Sequence, residues 1–338
     1  MAKLSTIWKM MKPGDSVLRY LRTLRLLPPV HRVAWIAAAS RHGVLRLLRE
    51  PKTLAEIMAH LDAPAEREKT VWAWLRHGCL LKEIRLEGER YALRGALARG
   101  LADPAEEVVA ALAQALVAIH HEGIYSALDH LKTGRSLAQI DHGLVARVSE
   151  LAAPALLEIV EQYAPSEGDC RWLELGCGNG RYIRHACAQN PQLNAVGVDL
   201  DPQVAEHAQA ELAAAGLDSR ARAIAGDLRT VELEERFDRV TMFNLIYYFP
   251  VEERAALIER VASWVDPGGT VLISSMCQGG TLGANVLDVW FSSLRECGPL
   301  PEPEAVVEAL RAAGLETEAP RRVLPGEAFF LFVARRPQ

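Results

Sequence analysis

The sequence has no hydrophobic run of bilayer length. Within its 338 residues the longest apolar stretch near the middle, Val108 to Ile119, is closed by Glu106 and Glu107 on one side and by His120 and His121 on the other. A spanning helix needs ~20 apolar residues, so a buried helix and no membrane partner are expected there. The N-terminus sets Lys3, Lys9, Lys12, Arg19, Arg22 and Arg25 against a single acid, Asp15. It lacks the continuous apolar core and small-residue cleavage site of a secretory signal, and an amphipathic helix with a solvated basic face is the expectation. Cysteines are few and show no metal pattern. The six, at 79, 170, 177, 187, 277 and 297, form no CxxC pair and have no histidines at zinc-finger spacing, which suits a reducing cytoplasm. Adjacent His120 and His121 on a helix point about 100° apart, so no metal site is expected. Nor is there an excess of basic charge: the net charge of -5 argues against nucleic acid as the main partner.

What is present divides into two grammars. Half the residues are hydrophobic and 24% are charged, the balance of a soluble chain long enough for two packed domains. From about Tyr20 to Ile119, leucine and alanine recur at three- and four-residue spacings, the mark of helices. Within that half, Thr53 stands three residues before Glu56 as a capping box, a second helix follows in "EREKTVWAWLRHGCLL", and "KEIRLEGERYALRG" alternates about Glu87-Gly88 as a hairpin does. Helix, helix, hairpin is the winged-helix order. Its second helix offers Val71, Trp72, Trp74 and Leu75 where a DNA reader presents basic and amide groups, which points to burial instead. From about Cys170 onward, short strand-like runs alternate with helices: Arg171 to Leu175, Ala195 to Asp199, Arg222 to Ala225, Arg239 to Phe243, Thr270 to Ser274 and Ala328 to Ala334. That alternation predicts an α/β fold with a parallel sheet covered on both faces. The expected domains are 1–119 (helical, winged-helix), 120–165 (helical connector) and 166–338 (Rossmann-like).

At the head of the second half stands "WLELGCGNGRYIRHA", with Gly176, Gly178 and Gly180 on alternate positions after an acid-ended apolar run. A loop of this kind brings backbone against a nucleotide-like ligand. A dinucleotide fingerprint requires a third glycine three places after the second, and Arg181 occupies that position. The next strand, "AVGVD", ends at Asp199, where a carboxylate can accept from both ribose hydroxyls. "ARAIAGDL" then places Asp227 and Leu228 just past a third strand, "FDRVTMFNLIYYFP" carries Asn244 at the end of a fourth, and "VDPGGTVLIS" turns into a fifth. Taken in this order across residues 172–275, these segments resemble the motifs of class I S-adenosylmethionine-dependent methyltransferases. An acid such as Glu174 suits that ligand, which carries a sulfonium and an ammonium and has no pyrophosphate.

The order of N-terminal winged helix, helical connector and catalytic domain is similar to the small-molecule O-methyltransferase-like branch. The resemblance implies a Rossmann-like domain that binds S-adenosyl-L-methionine through Glu174, Gly176, Gly178, Asp199, Asp227, Leu228 and Asn244. It further implies a small secondary-metabolite acceptor and a homodimer joined through the N-terminal domain. Many relatives in that branch carry a histidine base after the fourth strand. Here that segment reads Asn244, Leu245, Ile246, Tyr247, Tyr248, Phe249, so Asn244, Tyr247 and Tyr248 are the expected catalytic group, and the acceptor atom, whether oxygen, nitrogen or carbon, must already be nucleophilic or acidic. Two other readings share the motifs: a lyase that cyclises or cleaves S-adenosylmethionine with release of methylthioadenosine, and a winged-helix regulator that senses a ligand.

Overall fold

The computed structural model describes residues 17–338, and the chain forms two compact units. The basic stretch from Lys3 to Asp15 lies outside the described residues. The first unit runs to His121 and takes in His142–Leu151; the second comprises Glu122–Asp141 and Ala152–Gln338. The segment 120–165, read from the sequence as a connector, is thus divided between them.

In the first unit, helices α1 (Val17–Leu24) and α2 (Leu27–Arg41) precede β1 (Lys52–Thr53), α3 (Leu54–His60), α4 (Glu68–Leu80), β2 (Ile84–Glu87) and β3 (Arg90–Leu93). The capping box forms: Thr53 Oγ1 accepts from the Glu56 N–H, and the Glu56 carboxylate accepts from the Thr53 N–H at 2.7 Å. The three strands make an antiparallel sheet in the order β1-β3-β2. Trp35 of α2 stacks on Trp74 of α4 at 4.7 Å and donates its indole N–H to the Trp74 carbonyl. Gly78 makes this approach possible, since a Cβ there would lie 2.4 Å from the Trp35 ring. Burial of α4 is less complete than its sequence suggests. Val71 and Leu75 are buried, but Trp72 is 44% exposed, with the Arg76 guanidinium over its ring. Trp72 follows Val71 by one residue and so turns about 100° away from the face that Val71 and Leu75 share.

The apolar helix is also longer and less buried than expected. Helical turns run unbroken from Pro104 to His130, 27 residues, and only 28% of the most apolar window is buried. Among the described residues it is the one helix long and apolar enough to cross a membrane by length and composition alone. His120 and His121 do not end it because the helix widens into a π-turn at Leu116–His121 and continues.

In the second unit, an eight-stranded mixed sheet is built from β4 (Cys170–Leu175), β5 (Leu193–Asp199), β6 (Ala221–Ala225), β7 (Phe237–Phe243), β8 (Val265–Met276), β9 (Glu316–Thr317), β10 (Arg321–Arg322) and β11 (Phe329–Arg335). The order is β10-β11-β8-β7-β4-β5-β6, with β9 also paired to β11. From β6 to β8 all neighbours are parallel, whereas β11 is antiparallel to β8. All six strands anticipated from the sequence are present. Helices α5 (Arg181–Gln189) and α6 (Pro202–Ala214) follow β4 and β5, α7 (Val251–Ser263) joins β7 to β8, and α8 (Leu282–Ser292) and α9 (Pro303–Ala312) come in succession between β8 and β9. Because β4 is flanked by β5 and β7, consecutive connections leave the sheet centre in opposite directions beside its carboxyl end. That switch point is where open α/β sheets hold ligands.

Candidate functional site

The glycine turn joins β4 to α5 at this switch point. Gly176 and Gly178 have φ of +71° and +53°, in the left-handed region that a side chain disfavours. The Gly176 and Cys177 N–H groups both donate to the Val198 carbonyl, folding the turn against the end of β5. A Cβ on Gly176 would lie 3.0 Å from Leu245, whereas one on Gly178 would meet nothing within 4 Å. The first glycine therefore serves internal packing, and the second borders open space.

Asp199 closes β5. Its Oδ2 accepts from the Gly178 N–H at 3.0 Å and its Oδ1 from the Asp201 N–H at 3.2 Å. Burial raises its pKa, an effect these two N–H groups oppose. Glu174 sits one residue before the end of β4, opposite Gly197 and Thr241 on the flanking strands. It is 2% exposed. Burial holds its carboxyl well above the usual carboxylate range, and the Asp199 charge adds to the rise, against the opposing Ile183 N–H and Arg184 guanidinium.

Three buried side-chain atoms among the described residues have no hydrogen-bond partner: Glu174 Oε2, Asn244 Oδ1 and Ser274 Oγ. Each is expensive to leave unmade. All three belong to residues at the carboxyl ends of neighbouring strands, β4, β7 and β8. Asn244 follows β7 with φ +53°, and its N–H donates to the Ser274 carbonyl at 2.8 Å. Asparagine tolerates that conformation better than most residues. Two unpaired acceptors and a hydroxyl form an accepting set suited to a ligand bearing an ammonium, whose charge would favour the ionised form of Glu174.

Asp227 lies two residues beyond β6, about one-third exposed, and its Oδ1 accepts from the Arg229 N–H at 2.9 Å. Leu228 beside it is buried. Tyr247 and Tyr248 occupy a 3₁₀ turn, Ile246–Tyr248, after Asn244. Their rings lie 4.4 and 5.2 Å from that of Phe291 on α8, and Phe291 in turn meets Trp290 edge-on. Burial pushes the Tyr248 phenol up to about 12 and Tyr247 well above its ordinary value. Both are neutral donors at physiological pH, not bases. Cys177, within the glycine turn, is likewise held as a thiol by burial.

The structure thus brings Glu174, Gly176, Gly178, Asp199 and Asn244 to one end of the sheet, and the turn carrying Tyr247 and Tyr248 follows Asn244 directly. Sequence reasoning missed Ser274. Its only signal was a hydroxyl within an otherwise apolar run, "VLISS". Two cavities lie elsewhere. One of about 320 Å³, lined by Arg171, Asn194 and Arg220, is at the amino ends of β4 and β5; another of about 310 Å³ lies between α7 and α9. Neither includes the unpaired acceptors.

Residues 173–269 match the family described as a methyltransferase domain, and this span holds the glycine turn, Asp199, Asp227 and Asn244. The second unit has the fold of a class I methyltransferase domain. Among solved structures, a mitomycin 7-O-methyltransferase superposes with a TM-score of 0.77 at 19% identity, covering 94% of this chain and 98% of its own. Human N-acetylserotonin methyltransferase, solved with S-adenosylmethionine, gives 0.70 at 16% identity, covering 97% and 100%. At these identities the shared feature is the fold, and it extends through the helical N-terminal region. By sequence, demethylspheroidene O-methyltransferase of Rhodobacter capsulatus is 26% identical over 196 residues, 56% of this chain and 48% of that protein. A carboxy-S-adenosyl-L-methionine synthase of Chromohalobacter salexigens is 31% identical over 103 residues, 30% of this chain and 38% of that protein. The matches span about half or less of these curated relatives' length.

Proposed function

We propose that this protein transfers the methyl group of S-adenosyl-L-methionine to a small-molecule acceptor of secondary metabolism at oxygen, nitrogen or carbon, working as a cytoplasmic homodimer. The observation that carries the reading is the unpaired Glu174 Oε2, with Asn244 Oδ1 and Ser274 Oγ, at the switch point beside a glycine turn. A dinucleotide would instead bring its pyrophosphate toward an unpaired carboxylate, an arrangement electrostatics opposes.

When bound, S-adenosylmethionine supplies an electrophilic methyl group on a sulfonium. Glu174 takes the ammonium, Asp199 accepts from the ribose hydroxyls, and Asp227 with Leu228 receives the adenine. Gly176 and Gly178 keep the backbone bare beside the methionine portion. Asn244, Tyr247 and Tyr248 orient the acceptor: two phenols held neutral by burial donate hydrogen bonds and do not remove a proton, which favours an amine, a carboxylate or an enolisable carbon. The protein's part is positioning and exclusion of water. The names of the relatives, O-methyltransferases of demethylspheroidene and of mitomycin, support methyl transfer over cofactor cleavage or ligand sensing.

The test is calorimetric and chromatographic. S-adenosylhomocysteine is expected to stabilise the protein against heat more than NAD does. Incubation with S-adenosylmethionine alone is expected to give no turnover, and S-adenosylhomocysteine is expected only when an acceptor is added. Rapid acceptor-free release of methylthioadenosine would replace this reading with the cleavage reaction.

A further inference from the structure

The loop after β6 is anchored by more than its own backbone. The Asp227 carbonyl accepts from the Thr230 and Val231 N–H groups, and its carboxylate Oδ1 receives two bonds from a single residue: the backbone N–H of Arg229 at 2.9 Å and its Nη1 at 3.4 Å. Both fall on the same oxygen, so Oδ2 is left for a ligand. The Nε of Arg229 donates at 2.7 Å to Glu253 Oε2 in the first turn of α7, and its guanidinium lies 4.6 Å above the ring of Phe249, the residue after the tyrosine turn. From the far end of α7, Arg260 donates to the Leu228 carbonyl at 2.9 Å and to the Val231 carbonyl. The loop is therefore pinned at both ends to α7, and Arg229 is the only one of these residues that touches the Asp227 carboxylate.

We propose that Arg229 is a positioning residue that orients Asp227 and so sets the preference of the site for adenine over a base with a carbonyl in place of the amino group. The proposal rests on the cofactor reading above. A planar guanidinium engages Asp227, Glu253 and the Phe249 face together, a geometry that a lysine ammonium does not reproduce. Without the Arg229 side chain, the Asp227 carboxylate keeps only the backbone N–H bond to Oδ1, and its free oxygen is held less firmly in its direction toward an amino donor. The Arg229 side chain is 39% exposed, so its replacement leaves no core cavity.

S-adenosylhomocysteine and S-inosylhomocysteine are titrated by calorimetry into the wild-type protein and into Arg229→Gln, Arg229→Lys and Glu253→Gln. The wild type is expected to prefer the adenosyl compound. Arg229→Gln should weaken that compound about fivefold and leave the inosyl compound unchanged, so the ratio falls. Arg229→Lys should restore only part of the ratio, and Glu253→Gln should lower it in the same direction. The ratio is internal to each protein, so a loss of folded fraction does not alter it. An unchanged ratio in Arg229→Gln, or an equal loss for both compounds, overturns the proposal. Failure of the wild type to bind either compound overturns the cofactor reading instead, and this proposal falls with it.

Discussion

Glu174 is a carboxyl group within a central strand, almost fully buried and with one oxygen unpaired. Its folded pKa lies above the unfolded one, so in the window between them the folded protein holds a proton that the unfolded chain has released. The stabilising effect is complete below the ordinary carboxylate range and is lost as pH rises through the raised value. Asp199, shifted in the same direction, adds to it. Ligand-free protein is therefore expected to lose thermal stability as pH rises from acidic toward neutral. Glu174→Gln should flatten that dependence and raise the ligand-free melting temperature near neutrality by about 2–4 °C, the effect of ~1 kcal/mol in a domain of this size. Cofactor binding runs the other way. An ammonium needs the carboxylate, so affinity should increase with pH over the same window, with proton uptake by buffer measurable by calorimetry. Glu174→Gln should weaken S-adenosylhomocysteine about ten- to hundredfold, the loss of one charge-assisted bond. A variant that binds as tightly as the wild type would remove Glu174 from the site.

At the scale of the element, two of the three glycines in the turn between β4 and α5 have different duties. Gly176→Ala meets Leu245 at 3.0 Å in a strained backbone, so it should lower the stability of the ligand-free protein. Gly178→Ala has room for its methyl and bears only the left-handed penalty, about 1–2 kcal/mol, but it intrudes where the ligand lies. Thermal melts with and without S-adenosylhomocysteine should separate them: ligand stabilisation is lost in Gly178→Ala out of proportion to its own destabilisation, and in Gly176→Ala mainly in step with it. The glycines, Asp199 and Asp227 were legible in the sequence because local spacing places them at strand ends. Ser274 was not, because a lone hydroxyl in an apolar strand shows its missing partner only when the neighbouring strands are in place. Asp-Pro-Gly-Gly at 266–269 reads as a turn, yet β8 runs through it, pairing Val265 with Phe237 before the register shifts and resumes at Thr270. The Trp72 exposure escaped for a different reason: composition suggests burial, but helix phase decides it.

At the scale of the molecule, the first unit carries exposed Tyr20, Leu21, Leu24, Leu26, Leu27 and Val30 along α1 and the start of α2. Isolated apolar residues are ordinary on a surface, but six within eleven positions call for cover. A second copy of the chain is the cover consistent with the homodimer reading. Light scattering at micromolar concentration is expected to report twice the chain mass. Leu26→Glu combined with Val30→Glu should shift the protein toward the monomer, and a wild-type monomer would exclude the homodimer.

The path of the chain through the two units also orders its own synthesis. The first unit is completed only by His142–Leu151, after twenty residues that belong to the second, and the second is completed only by Phe329–Arg335, which fill the interior position between β8 and β10. As the polypeptide leaves the ribosome, the apolar flank of β8 must therefore wait unpaired for more than fifty residues, until the last strand, with Phe329, Leu331, Phe332 and Val333 buried in the finished sheet, emerges to cover it. Until then the growing chain displays an open sheet edge, the form in which β proteins are most easily captured by one another.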